Sequence, residues 1–351
     1  MIAIPIPFSV FSGICCRYFS SIQSERESEG YDMLRFLIKR FIGLIFVVIG
    51  VTFITFIMGY IAPDDPVTQL LGQHYTLAAY LQIKHAYGLD LPWYVQYYHF
   101  LTGLFRLDFG YSFQYKSRAV WDILKDGVPV SLELGAWALL LQVLIGVPLG
   151  ILSAIKVNTW VDTANMGIML AIYSIPAFIL AVIVQVILVW LDQNAGLGWP
   201  VANWGHAWHY TWTDIQYKLV PILVYAATGI AYFARLSRTS MLEVLRQDYV
   251  RTARAKGMRE RVVIYRHAFR NALIPLVTVI GISIGFLVTG AFFIERVFNI
   301  PGIAETTLGS IDYRDYPVIQ ATTVLLAVAV VLGNLLSDIL YTVVDPRIKT
   351  E

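Results

Sequence analysis

Charge is scarce in this sequence. Only 14% of its 351 residues are Asp, Glu, Lys or Arg, while 57% are hydrophobic, and mean hydropathy is +0.63. Ordinary soluble domains carry about 25% charged residues. So little charge cannot clothe a water-facing surface, so lipid must cover much of the chain. Cysteine is nearly absent as well: Cys15 and Cys16 are the only two and are adjacent. Neighbouring cysteines rarely pair with each other, which excludes a disulfide framework and a cysteine metal site. Reactive motifs are missing too. No G-x-x-x-x-G-K-[ST] phosphate loop occurs, and neither H-E-x-x-H nor G-x-S-x-G. His206 and His209 share a segment but have no third ligand, so they read as surface residues rather than a metal site. The apolar stretches hold no row of charges like a proton relay. No catalytic residue, metal or cofactor is expected on this chain, and no nucleic-acid partner; energy for uphill transport would come from elsewhere.

Long apolar runs are what remain. A membrane helix needs about 20 mostly apolar residues, and six stretches qualify: 41–61, 132–155, 168–191, 219–236, 272–294 and 319–343. The expected fold class is therefore an all-α membrane protein with six transmembrane helices. Pro176, Pro221 and Pro275 fall within or beside these stretches, where prolines often mark kinks. Residues 1–32 lack the charged start and cleavage site of a signal peptide. They read as a disordered extension or a mis-start ahead of Met33.

Charge placement suggests an orientation. Arg35, Lys39 and Arg40 precede the first stretch. Residues 235–272 hold ten basic residues against three acidic ones (Glu243, Asp248, Glu260), a balance of +7. Residues 192–217 contain no Lys or Arg, and residues 295–318 have two basic residues against four acidic ones. Arg347 and Lys349 close the chain. Basic flanks stay in the cytoplasm, so both termini and the 237–271 loop are expected inside. Loops 62–131, 192–217 and 295–318 are then expected outside. The outer loops carry Trp93, Tyr94, Tyr97, Tyr98 and Phe100, then Trp199, Trp204, Trp208 and Trp212. Such aromatics fit an interfacial belt or a docking face for a partner. Glu133 and Asp338 are candidate membrane carboxylates, and Asn334 and Gln185 are weak candidates for lining a pathway.

The basic loop reads as two short helices joined at a glycine. Met241, Leu242, Val244, Leu245 and Tyr249 recur near helical spacing, and Gly257 follows Thr252-Ala253-Arg254-Ala255-Lys256. Glycine can take the left-handed conformation that ends a helix, and helical spacing resumes from Arg259 to Phe269. Small residues at Ala253, Ala255 and Gly257 would let another surface approach closely. A solvated or lipid-facing basic helix pair fits the same residues equally well.

The loop also resembles a known motif. Tyr249-Val-Arg-Thr-Ala-Arg-Ala-Lys-Gly257, then Arg266-His267-Ala268, Arg270-Asn271-Ala272 and Pro275, is similar to the coupling loop of ABC-importer permeases. The general pattern is Glu-Ala-Ala, three residues, Gly, nine residues, Ile, one residue, Leu-Pro. Ala253 and Gly257 keep it. Arg251, Thr252, His267, Phe269 and Arg270 depart from it in the manner of the dipeptide/oligopeptide/nickel branch, in particular its first (B-type) permease subunit. Gly88-Leu-Asp-Leu-Pro92, Asp108-Phe-Gly-Tyr-Ser112, Ser174-Ile-Pro-Ala-Phe178, Phe298-Asn-Ile-Pro-Gly302, Arg314-Asp-Tyr-Pro317 and Asp345-Pro-Arg347 extend the resemblance from about residue 33 to 347. Asp64 stands where that family usually has glycine.

The resemblance implies a type I ABC-importer permease fold over residues 33–351, in a prokaryotic cell membrane. It implies as partners a second, similar permease subunit, two ATPase subunits that bind ATP and Mg, and an extracytoplasmic substrate-binding protein. Di- or oligopeptides are the implied cargo, with nickel chelates or oligosaccharides as the alternative. By motif position, the coupling residues would be Tyr249, Arg251, Thr252, Ala253, Arg254, Ala255, Lys256, Gly257, His267 and Asn271. A membrane enzyme would need a catalytic dyad or metal cluster, and a secondary transporter would show an internal repeat; the sequence has neither.

Overall fold

The computed structural model describes residue 38 and residues 41–61, 66–71, 75–115, 118–196, 198–287 and 291–344. The expectations for residues 1–32, the two cysteines, Arg35, Lys39, Arg40, Asp64 and residues 345–351 lie outside these, as does the side chain of Asp338. Among the described residues the chain is helical, with one isolated bridge between Tyr111 and Ala119. Six helices there are long and apolar enough to cross a membrane.

The first is α1, Phe41–Ile61. Three shorter helices follow: α2 (Pro66–Leu71), α3 (Leu77–Ala86) and α4 (Trp93–Phe105). The second crossing combines α5 (Val120–Leu141), a π-helical turn (Gln142–Gly146) and α6 (Val147–Ile155). It starts twelve residues before the apolar stretch, so part of the expected outer loop is helix. The π turn ends two residues before Pro148, which has no N–H for the carbonyl four residues back, that of Leu144 within the turn. The third stretch is two helices, α7 (Trp160–Ser174) and α8 (Ala177–Ala195). Ile175 is extended, with φ −89° and ψ 121°, because a residue before proline is pushed out of the helical region. α9 (Trp212–Leu245) has 34 residues and a Thr211/Asp214 capping box at its start. At about 1.5 Å per residue it spans roughly 51 Å, against about 30 Å of hydrocarbon, so it must tilt or project.

After α9 come α10 (Asp248–Ala255) and α11 (Glu260–Val262), the latter leading through a π-helical turn (Val263–Phe269) into α12 (Arg270–Leu287). Only α10 is thus a separate short helix. Of the pair expected on either side of Gly257, the first is split, its start being the end of α9 and its remainder α10, and the second continues into the fifth crossing. The fifth also ends early: Ile294 belongs to a separate helix, α13 (Phe292–Val297). α14 (Ile303–Asp312) and α15 (Tyr316–Val344) complete the fold. The end of the bundle that carries α10 is called here the basic end and the other the far end.

Glycines set the closest seams. α12 and α15 make the most extensive helix–helix contact. There a Cβ on Gly285 would lie 2.8 Å from the Cα of Gly333. Ser337 Oγ donates to Thr278 O across the same seam, at 3.0 Å. Gly146 and Gly150 similarly admit α9, whose Ser237 Oγ donates to Val147 O at 3.0 Å. Both seams show a glycine–three residues–glycine spacing, 281/285 and 146/150, the pattern that lets membrane helices approach.

Buried polar groups fix the far end. Glu133 and Lys218 pair at 2.8 Å, both almost fully buried. Lys218 Nζ also donates to the His206 and His209 carbonyls, at 2.8 and 2.7 Å. Glu133 Oε2 accepts Trp204 Nε1 and the Trp208 N–H, each at 2.9 Å. Every proton of the ammonium and both carboxylate oxygens are thereby satisfied, which a buried ion pair requires. Trp204 is wholly buried; it packs in the core with Leu134, Ile222 and Phe298 rather than in a surface belt. Glu295, also fully buried, accepts Ser131 Oγ (2.8 Å) and the N–H groups of Ala291, Ala304 and Glu305 (3.2, 2.9 and 3.2 Å). Burial raises this carboxyl above the ordinary range, and those hydrogen bonds pull against that shift. Asp315 accepts Ser112 Oγ and the Phe113 and Gln114 N–H groups. It thereby brings two separate sequence motifs together. Gln185 Nε2 donates to Val201 O and Val297 O, at 3.2 and 2.8 Å, which ties α8 to the following loop and to the end of α13.

Candidate functional site

The basic end presents α10 on a braced mount. Asp248 sits in its first turn and Arg254 in its last, each placed to favour the helix dipole. Gly257 has φ +74°. Its N–H reaches Arg254 O at 2.9 Å, and the Met258 N–H reaches Ala253 O at 3.4 Å. Those two bonds are the Schellman ending, and Met258 closes it by packing on the cluster that contains Ala253. A Cβ at Gly257 would meet nothing within 4 Å. Backbone conformation, not crowding, makes this position a glycine.

Three ties hold α10. Val250 and Ala253 are buried against Val263, with Val244 and Leu245 packed around them. Asn271 Nδ2 donates to Tyr249 Oη at 2.7 Å. Arg254 bonds Glu260 across the turn at 2.8 Å, and that hydrogen bond holds the guanidinium pKa above its usual value. α10 is therefore fastened to the ends of α9 and α12.

The expected coupling residues divide accordingly. Tyr249, Arg251, Thr252, Ala255, Lys256 and Gly257 are exposed. Ala253 is only 6% exposed; its small side chain lets α10 settle on this chain's own core, so it offers nothing to another surface. Arg254 is engaged by Glu260 and Arg251 lies 3.6 Å from Asp248, while Thr252 Oγ1 donates within its helix to Asp248 O. Lys256 makes no ion pair among the described residues. His267 lies in the π turn, its Nε2 buried without a hydrogen-bond partner; Asn271 is exposed and bonds the exposed Tyr249.

One strut was not read from the sequence. Arg238, on α9, makes a two-point bond to Asp162 at the start of α7, both contacts 2.7 Å. Lone charges at opposite ends of apolar stretches were its only signal, as they were for Lys218 and Glu133. The short Gly-x-x-x-Gly spacings were the signal for the seams.

Six helices long and apolar enough to cross a membrane, with a braced helix at one end, are the frame of a multi-pass membrane protein. Residues 146–350 match the binding-protein-dependent transport system inner membrane component family, and residues 33–135 match its N-terminal component. The chain belongs to this family and is an all-α transport permease of the type I ABC-importer class, a subunit rather than an enzyme. It is 38% identical over 317 residues to the dipeptide transport system permease protein DppB of Bacillus subtilis, covering 90% of this chain and 98% of that protein. It is 36% identical over 339 residues to DppB of Escherichia coli K12, covering 90% and 99%. It is likewise 36% identical over 321 residues to the glutathione transport system permease protein GsiC of Pectobacterium atrosepticum, covering 90% and 99%.

Proposed function

We propose that this chain imports di- or oligopeptides, forming half of the translocation pathway beside a second permease subunit. The names of the relatives, dipeptide and glutathione permeases, support peptide cargo over nickel chelates or oligosaccharides. The basic end faces the cytoplasm, with both termini, and a substrate-binding protein delivers cargo at the far end. ATP and Mg reside on two ATPase subunits. The observation that carries this reading is the exposed face of α10, held by the Ala253 core, the Tyr249–Asn271 bond and the Arg254–Glu260 brace. A helix so fastened moves with whatever grips its outer face. The ATPase would seat against Tyr249, Arg251, Thr252, Ala255, Lys256 and Gly257, and its closure would shift α9 and α12 together. Transport is then a two-state equilibrium biased by partner contacts.

Gly257→Glu tests this in proteoliposomes holding the whole complex. Membrane insertion and basal ATP hydrolysis are expected to persist while peptide uptake falls at least tenfold. Uptake at the wild-type ratio to ATP consumed would remove α10 from the coupling path.

A further inference from the structure

A cavity of about 750 Å³ opens at the far end, away from α10 and its struts. Its walls are the last turn of α1, the end of α3, the start of α4, the segment near Gly110 and the first turn of α15. Two membrane crossings, α1 and α15, end or begin here, which sets the cavity at the level where hydrocarbon gives way to headgroups. Its polar lining is one-sided. Lys84 supplies an ammonium, His99 and Gln320 supply nitrogen donors, and Tyr60 and Tyr316 supply phenols; among the described residues no carboxylate lines it. Asp90, outside the lining, makes its ion pair with His85 Nδ1 at 2.7 Å and acts on Lys84 only at longer range. Beside the cavity, α4 has no charged residue and exposes Trp93, Tyr94, Tyr98 and Phe105, while α1 exposes Met58 and Ile61. Tyr97 Oη fastens α4 to the middle of α1, donating to Ile49 O at 3.2 Å. A cationic, donor-rich recess bordered by an apolar, aromatic helix matches an amphiphile with an anionic head.

We propose that this cavity holds the phosphate headgroup of a membrane phospholipid, with Lys84 as its counter-charge and the acyl chains along the exposed faces of α1 and α4. The occupant is a structural lipid of the subunit, distinct from the transported cargo. A lipid there would wedge the α3–α4 region against α1 and α15.

Native mass spectrometry of the whole complex, stripped of lipid and then given phosphatidylglycerol, tests the assignment. One phosphatidylglycerol per copy of this chain is expected to stay bound through washing. Lys84→Gln is expected to lower that occupancy about fivefold, the effect of one ammonium beside an anionic headgroup. Lys125→Glu, a surface change outside the cavity, is expected to leave it unchanged. Equal retention by wild type and Lys84→Gln would overturn the proposal. So would displacement of the bound mass by inorganic phosphate alone, which would make the site one for a free anion. Displacement by a dipeptide would reassign the cavity to cargo. Peptide uptake is measured separately, so failure of the lipid site leaves the transport reading standing.

Discussion

Gly257 occupies a left-handed backbone position at the end of α10, with open space where a side chain would be. Any other L-residue there is strained by about 1 kcal/mol. Gly257→Ala is therefore expected to speed hydrogen exchange of the α10 amides about fivefold while overall thermal stability hardly moves. Unchanged exchange would mean that the Schellman ending does not hold the helix. Lys218 makes the opposite case, since its environment is full rather than empty. Lys218→Met strands Glu133 as a buried unpaired carboxylate, at a cost of roughly 3–5 kcal/mol. Thermal unfolding in detergent should show that loss, and Glu133→Leu/Lys218→Met should recover most of it. A double variant no more stable than Lys218→Met would show that the pair is not what matters at that site.

Between elements, the proposed coupling would give force on α10 two routes into the bundle. One runs through α12 to α15 along the Gly285–Gly333 contact. The other runs through α9 to α7 by way of Arg238 and Asp162. Arg238→Asp is expected to cut peptide uptake per ATP consumed several-fold. Asp162→Arg/Arg238→Asp restores the pair with reversed sign, and uptake per ATP should largely return. If the swap restores folding but not that ratio, the strut is structural only. Gly285→Leu inserts a side chain where two backbones touch, and overpacking of this kind costs about 1–3 kcal/mol. It should lower the detergent unfolding temperature, and an unchanged value would mean that the two helices are not held this closely.

At the scale of the molecule, the two ends are built differently. The far end is locked by Glu133, Glu295 and Asp315, each satisfied by several donors. The basic end offers one exposed helix on an anchored mount. With Cys15 and Cys16 replaced by serine, Lys256→Cys should react with an impermeant thiol reagent only from the cytoplasmic side, and Trp212→Cys only from the outside. The reverse pattern would invert the proposed orientation.

Hydropathy alone marked the apolar crossings, because about 20 consecutive apolar residues have few other solutions. It could not place their ends. α9 runs past its apolar stretch at both ends, the fifth crossing starts back at Glu260 on polar residues yet ends at Leu287, and Pro176 divides the third stretch where composition shows no gap. The small residues around Gly257 were legible, but their roles were not. Local sequence is the same whether Ala253 faces a partner or its own core, and only the packing of Val250 and Ala253 on Val263 decided that. Likewise Ser112 and Asp315, or Ser131 and Glu295, are far apart in the chain, and no periodicity links them. The sequence by itself determined that this chain lies in a membrane and carries a glycine-ended basic helix, since burial and backbone conformation are local demands. The tertiary structure decided which charges are paired and which face of α10 is free, because both depend on contacts between residues that the chain order keeps apart.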